Sequence, residues 1–128
     1  MRLLLIRHGQ TPNNVVGALD TAFPGAGLTD LGRAQAAAVP ASLADEDVSA
    51  VYASPLVRTQ LTGTPLAQER GIEVHVREGL EEIAAGEFEM RSDRAAVEAY
   101  LGALSSWLHG DLDHALPGGS TGHEFIAR

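Results

Sequence analysis

The sequence predicts an α/β protein with a largely parallel sheet. The chain of 128 residues alternates short apolar runs with longer amphipathic segments in the order β-α-β-α-β-α. That alternation is typical of parallel strands joined by covering helices. The first run, Leu3–Ile6, is continuously apolar, as in a strand buried on both faces. Because we find no internal repeat and no linker, we expect one domain over residues 1–128.

Three strands are predicted at Leu3–Ile6, Val48–Ala53 and Ile72–Val76. The last of them alternates apolar and polar residues, which favours a position at or near the edge of the sheet. Residues 9–27 are rich in Pro, Gly, Asn and Thr, and residues 77–90 are also loop-like. Long loops in compact domains are usually functional or disordered.

Three helices are predicted where a capping residue precedes an amphipathic segment. The predicted caps are Thr29 or Asp30, Ser54 followed by Pro55, and Ser92 or Asp93. Pro40 should kink the first helix or interrupt its end, and the second should end near Gly71. Beyond Gly110 we expect loops, with a helix start at residues 124–128.

Composition excludes several classes of function. The formal net charge is −8, which disfavours generic nucleic-acid binding. The absence of cysteine excludes disulfides, thiol catalysis and thiolate metal sites, and it fits a cytoplasmic protein. No apolar run approaches the length of a membrane span. All nine basic residues are arginine, so the arginine count alone does not indicate phosphate binding.

Titratable side chains follow each predicted strand. Arg7 and His8 follow the first strand, Arg58 comes one helical turn after the second, and Glu81 and Glu82 follow the third. Ligands of open α/β sheets bind beyond the carboxyl ends of the strands, so these groups should share one site.

The chemistry of these groups fits a phosphoryl group. Arginine binds phosphate oxygens in a bidentate manner. A histidine between two arginines is held towards its neutral, nucleophilic form. A nearby carboxylate could protonate the leaving oxygen. Because arginines can supply the charge stabilisation, we expect no metal and no cofactor.

The sequence resembles the histidine phosphatase superfamily, the phosphoglycerate mutase-like proteins. The matching segments are Arg7-His8-Gly9-Gln10-Thr11, Asn14, Leu28-Thr29-x-x-Gly32-x-x-Gln35-Ala36, Ser54-Pro55-Leu56-x-Arg58-Thr59, Leu80-x-Glu82-x-x-x-Gly86-x-x-Glu89 and Pro117-Gly118-Gly119. The resemblance covers nearly the whole chain and implies a three-layer α/β/α sandwich.

The resemblance also implies roles for six residues. His8 looks like the nucleophile that becomes phosphohistidine, and Glu82 looks like the general acid. Arg7 and Arg58 look like phosphate clamps. Asn14 looks like a phosphate or substrate contact, and Thr11 like a residue that shapes the loop. The implied activity is hydrolysis of a small phosphorylated substrate, with phosphatase favoured over mutase.

Family members carry a second catalytic histidine in a later segment that this sequence does not contain. We therefore expect a domain that is incomplete at its C-terminus, with an exposed sheet edge that favours a homodimer. The alternative function is an inactive phosphate-binding or interaction module. A nucleotide-binding protein is disfavoured because no glycine-rich phosphate loop follows the first strand.

Simpler interpretations compete at several positions. Taken alone, His8 could be a histidine at the end of a strand that is bonded to the backbone rather than a nucleophile. Arg58 could be a solvated helix residue, and Tyr100 could be a packing residue. The segment from His109 to His114 could suggest a metal loop, although no further cluster supports it.

Overall fold

The computed structural model describes residues 2–128, which contain five α-helices, two strands and a 3-10 helix at Gly86–Phe88. The helices and strands are α1 (Pro12–Val16), α2 (Asp30–Ser42), β1 (Val51–Ala53), α3 (Val57–Arg70), β2 (Val74–Val76), α4 (Arg94–Leu108) and α5 (Gly122–Ala127). This mixture of helices with a parallel sheet confirms the predicted α/β class.

The sheet consists of β1 and β2, paired in parallel with Tyr52 opposite His75. Helix α3 connects the two strands and contacts both of them, and it also packs along α2. Val51, Leu66 and Ala67 form the buried centre of this half of the domain. The predicted parallel strands therefore form, although each is shorter than the apolar run that contains it.

The prediction of a strand at Leu3–Ile6 is wrong for the described residues, where this segment has no regular secondary structure. Its side chains are not buried: Leu3 is 77% exposed and Leu5 is 88% exposed. A strand needs a neighbour that completes its hydrogen bonds, and within residues 2–128 β1 pairs only with β2. An apolar run shows that a segment can pack, but it does not supply that neighbour.

The loop after this segment is held by hydrogen bonds from two helices instead. The amide of Gly9 donates to the Thr62 hydroxyl at 3.0 Å, and the amide of Gln10 donates to the Gln35 side-chain oxygen at 2.8 Å. The Gln10 carbonyl accepts from the Thr29 amide at 2.9 Å. These contacts place the His8 loop at the start of α2 and beside α3.

Two glycines allow this close approach. A Cβ on Gly9 would lie 2.4 Å from the Gly32 carbonyl oxygen, and a Cβ on Gly32 would lie 2.1 Å from the Gln10 carbonyl oxygen. Both obstacles are backbone atoms, so they cannot rotate away.

Replacing Gly32 by alanine should therefore lower the free energy of unfolding, by about 2 kcal/mol or more, because the loop and α2 must separate. Urea unfolding followed by circular dichroism measures this change. Gly102→Ala in α4 is the matched control, since a Cβ there meets nothing within 4 Å. The control should be neutral or slightly stabilising. Equal stability of the two variants would contradict the close packing of the loop on α2.

Two of the predicted helix starts are confirmed and one is wrong. Thr29 caps α2 by accepting from the Gly32 amide, and Asp93 caps α4 by accepting from the Ala96 amide. The N-cap of α3 is Leu56 rather than Ser54. The Ser54 hydroxyl accepts from the Leu56 amide in the turn before the helix, which delays the helix by two residues.

Helix α4 covers the second apolar cluster of the domain. Tyr100 and Ala103 pack there against Ala85 and Leu116. This cluster anchors the loops at residues 18–22 and 83–90, which border the candidate site described below.

Candidate active site

A cavity of about 480 Å³ lies where the His8 loop, the start of α3, the loop after β2 and α4 meet. The structure brings all six residues proposed from the sequence to its lining: Arg7, His8, Thr11, Asn14, Arg58 and Glu82. Glu81, Asp20 and Tyr100 also line it. The side chains that follow the predicted strands thus converge at one site, even though the first segment is not a strand.

The imidazole of His8 has one nitrogen fixed by the backbone. Its Nδ1 lies 2.8 Å from the carbonyl oxygen of Gly9. A carbonyl can only accept, so Nδ1 carries the proton. In the neutral ring Nε2 then holds the lone pair, which is the arrangement that a nucleophile requires.

Arg58 is a buried cation, with only 4% of its side chain exposed. Its Nη1 lies 3.7 Å from Oδ2 of Asp20, whose side chain is 8% exposed. That oxygen also accepts from the Asn13 side chain at 2.9 Å and from the Ala26 amide at 3.0 Å. Nη1 itself has no hydrogen-bond partner among the described residues. Arg58 lines the cavity, and a buried guanidinium at such a position is suited to binding an anion.

A single hydroxyl links the His8 loop to the helix that carries Arg58. Thr62 Oγ1 accepts from the Gly9 amide at 3.0 Å and donates to the Arg58 carbonyl oxygen at 2.7 Å. Thr62 is buried. One buried side chain therefore links the His8 loop directly to the turn of α3 that carries Arg58.

Thr11 and Asn14 form a reciprocal cap at the start of α1. The Thr11 hydroxyl accepts from the Asn14 amide at 3.1 Å, and the Asn14 side-chain oxygen accepts from the Thr11 amide at 3.0 Å. Because its oxygen is engaged, the Asn14 side chain is left with its NH₂ group as a donor. Thr11 is almost fully buried and shapes the loop.

The two adjacent glutamates differ in their surroundings. Glu81 accepts from the Gly79 amide at 2.7 Å and lies 4.0 Å from the guanidinium of Arg128. The Glu82 carboxylate accepts from the Ile83 amide at 3.0 Å and lies 3.5 Å from the Tyr100 hydroxyl. Glu82 is thus free of ion pairs among the described residues, whereas Glu81 is engaged with an arginine.

Tyr100 and Asp20 are site residues that sequence reasoning missed. Burial raises the pKa of the Tyr100 phenol above its usual range, and the charge of Glu82 adds to this. In the sequence Tyr100 is indistinguishable from the other apolar positions of α4, so its spacing indicates only packing. Asp20 lies in a long loop with no periodicity, and no pattern in the sequence pairs it with Arg58.

Glu89 ties the two loops that border the cavity. Its carboxylate accepts from the Thr21 amide at 2.7 Å, from the Ala22 amide at 2.9 Å, and from the Thr21 hydroxyl. Gly86 has a φ of +59°, and a Cβ there would lie 2.2 Å from the Pro117 carbonyl oxygen. The Gly86-x-x-Glu89 pattern is therefore explained by loop packing.

Within residues 2–128 we find no group of three or more His, Asp or Glu side chains arranged to hold a metal ion. The segment from His109 to His114 accordingly does not form a metal loop in the described part of the chain. Across the same residues, every helix is too short or too polar to cross a bilayer.

Comparison with known proteins identifies the class to which this fold and site belong. Residues 3–128 match the histidine phosphatase superfamily (branch 1), and the chain belongs to this family. The resemblance proposed from the sequence motifs is thereby confirmed.

Two of the relatives that match nearly the whole chain are phosphatases by name. The chain is 32% identical over 128 residues to the adenosylcobalamin/alpha-ribazole phosphatase of Escherichia coli, and it covers 62% of that protein. It is 30% identical over 127 residues to putative phosphoserine phosphatase 2 of Hydrogenobacter thermophilus, again over 62% of that protein. The chain spans about three fifths of the length of these two relatives.

Solved structures show the same fold. The alpha-ribazole phosphatase of Shigella flexneri superposes with a TM-score of 0.73 at 32% identity, over 95% of this chain and 60% of that one. A mycobacterial glucosyl-3-phosphoglycerate phosphatase, solved with VO3, superposes with a TM-score of 0.76 at 27% identity, over 94% of this chain and 59% of that one.

Proposed function

We propose that this protein hydrolyses a small phosphomonoester through a phosphohistidine at His8. The observation that carries the proposal is the shared cavity, which is lined both by His8, whose Nδ1 is bonded to the backbone, and by the buried cation Arg58. The names of the relatives support phosphatase chemistry in general. We favour phosphatase over mutase because a mutase must protect its phosphohistidine from water.

The first step transfers the phosphoryl group to the histidine. Arg7 and Arg58 bind the phosphate oxygens, and the Asn14 side-chain NH₂ adds a donor. Nε2 of His8 attacks phosphorus, the bond from phosphorus to the ester oxygen breaks, and that oxygen takes the proton of Glu82. The ring becomes cationic, and the hydrogen bond from Nδ1 to the Gly9 carbonyl stabilises that charge.

The second step returns the enzyme to its starting form. The Glu82 carboxylate takes a proton from water while the water oxygen attacks phosphorus. The bond between phosphorus and Nε2 breaks, inorganic phosphate leaves, and His8 is again neutral. Arginines offset the phosphate charge in both steps, so this scheme requires no metal and no cofactor.

The test is hydrolysis of p-nitrophenyl phosphate in the presence of a chelator, from mildly acidic to neutral pH. A rapid quench with radiolabelled phosphoester should trap a label that is stable in base and labile in acid, and peptide mapping should place it on His8. Phosphate binding by a folded protein without turnover would support the alternative, an inactive phosphate-binding module. Turnover without a trapped label would contradict the phosphohistidine.

The cytoplasmic location stays a prediction, supported by the absence of cysteine.

The homodimer also stays a prediction, and two features of the structure support it. The side chains of Leu3 and Leu5 are exposed, and among residues 2–128 the outer edge of β1 carries no partner strand. Exposed apolar segments and open strand edges favour association.

We therefore expect size-exclusion chromatography with light scattering to give twice the chain mass of 13.4 kDa. Leu5→Glu places a charge in the exposed run and should shift the population towards monomer. Leu108→Glu is the matched control, because Leu108 is 87% exposed at the end of α4. A monomeric wild type with cooperative unfolding would contradict the dimer.

A further inference from the structure

The guanidinium of Arg58 is backed by residues 20–26, a segment that we call the backing loop. Nη1 of Arg58 is buried and has no hydrogen-bond partner within residues 2–128. Oδ2 of Asp20 lies 3.7 Å from it, close enough for an ion pair and too far for a hydrogen bond. Asp20 therefore attracts this end of the guanidinium by charge.

Gly25 leaves the space that the guanidinium occupies. Its φ is +71°, and a Cβ there would lie 2.6 Å from Nη1 of Arg58. Nη1 is the end of a long side chain, so a Cβ would displace the guanidinium rather than the backbone. The Val57 amide donates to the Pro24 carbonyl oxygen at 3.0 Å, which joins the backing loop to the first residue of α3.

The backing loop is itself held in place. Oδ2 of Asp20 accepts from the Asn13 side chain at 2.9 Å and from the Ala26 amide at 3.0 Å. The Glu89 carboxylate accepts from the Thr21 amide at 2.7 Å. The carboxylate that faces Arg58 therefore has a set orientation that does not depend on Arg58 alone.

We propose that Asp20 and Gly25 are positioning residues that fix the guanidinium of Arg58 before a phosphoryl group binds. An arginine side chain has many rotamers, and ordering them during binding weakens affinity. A cation that is already held avoids that loss and stabilises developing charge more effectively. The inference rests on the proposed role of Arg58 as a phosphate clamp.

The experiment is a phosphorus NMR titration of the folded protein with inorganic phosphate, a method that also measures millimolar affinities. In Asp20→Asn we expect the Kd for phosphate to rise about tenfold, the effect of one weakened charge-assisted hydrogen bond. A carboxylate that only offset the charge of Arg58 would have the opposite effect, because removing a negative charge strengthens anion binding. The two roles therefore differ in sign.

Glu81→Gln is the matched control for the loss of one negative charge. Glu81 lines the same cavity but lies beside Arg128 rather than Arg58. This variant should not weaken phosphate binding. In an Arg58→Met background, adding Asp20→Asn should cause no further loss, because a positioning residue acts through the cation that it holds. An equal loss in both backgrounds would overturn the inference.

Gly25→Ala tests the second positioning residue, with Gly71→Ala as its matched control. Both glycines have a left-handed φ, so both variants carry the same backbone penalty. A Cβ on Gly71 meets nothing within 4 Å, whereas a Cβ on Gly25 meets the guanidinium. Only Gly25→Ala should weaken phosphate binding. An equal Kd for the two variants would overturn the role of Gly25.

Tighter or unchanged phosphate binding in Asp20→Asn would overturn the role of Asp20. If that variant does not fold, Asn13→Ala replaces it, since it keeps both charges and removes one bond that orients Asp20. It should also weaken binding, and an unchanged Kd would overturn the inference. Phosphate binding without turnover would contradict the proposed hydrolysis and leave the positioning role standing. A wild type that does not bind phosphate would overturn the clamp and this inference together.

Discussion

Replacing His8 by alanine should abolish metal-independent hydrolysis, with a fall in kcat of at least about 10³-fold, because it removes the imidazole on which the proposed covalent intermediate forms. Two carboxylates of the same cavity are held by arginines: Asp20 by Arg58, and Glu81 by Arg128. The rate is measured with p-nitrophenyl phosphate in the presence of a chelator. The trapped phosphoenzyme should disappear together with the rate.

The matched control for this variant is His75→Ala. His75 lies on β2, is exposed and contacts Tyr52 rather than the cavity. It should leave turnover unchanged. Substantial hydrolysis by His8→Ala would mean that water attacks the phosphoester directly, and the histidine would then only bind the phosphate.

Replacing Arg58 by methionine should have two large and separable effects. Loss of the buried guanidinium should lower kcat/KM by about 10²–10³-fold, because a preorganised donor to the phosphoryl oxygens is gone. The free energy of unfolding should fall by about 3 kcal/mol, because Asp20 is left as a buried carboxylate without its cation. Arg58→Lys keeps the charge but lacks the bidentate geometry, so its kcat/KM should be intermediate.

Adding Asp20→Asn to Arg58→Met separates the two effects. Removal of the buried negative charge should restore part of the stability and none of the activity. Arg70→Met is the matched control on the same helix, since the Arg70 guanidinium donates to the Leu43 carbonyl and does not line the cavity. Unchanged binding of inorganic phosphate by Arg58→Met would contradict the role of Arg58 as a phosphate clamp.

The parts of the fold that depend on local chemistry were readable from the sequence. Thr29 and Asp93 cap the helices they were expected to cap, and Gly71 ends α3 in the left-handed conformation. Helix α1 was missed, although Thr11 followed by Pro12 is a cap followed by a first-turn proline. The surrounding residues have a composition typical of a loop, and a helix of five residues is too short to show an apolar periodicity.

The parts that depend on distant partners were not readable. Leu3–Ile6 has the composition of a buried strand. Strand pairing, however, depends on two segments, and the sequence of one segment does not show whether a second segment lies beside it. The same reasoning applies to Asp20, which reaches Arg58 across 38 residues of chain. Topology predicts that Arg7, His8, Arg58 and the pair Glu81–Glu82 converge. The family resemblance adds Thr11 and Asn14 and favours Glu82 over Glu81, whereas the contacts of all these residues come from the structure.

The hydroxyl of Thr62 that joins the His8 loop to α3 has a consequence for dynamics. The Gly9 amide is buried and, within residues 2–128, donates to that hydroxyl alone, so its hydrogen exchanges with solvent when the loop separates from the helix. Opening at this point displaces the histidine and the buried arginine relative to each other. The exchange rate of one amide proton therefore reports how often the site loses its working geometry, without any substrate present.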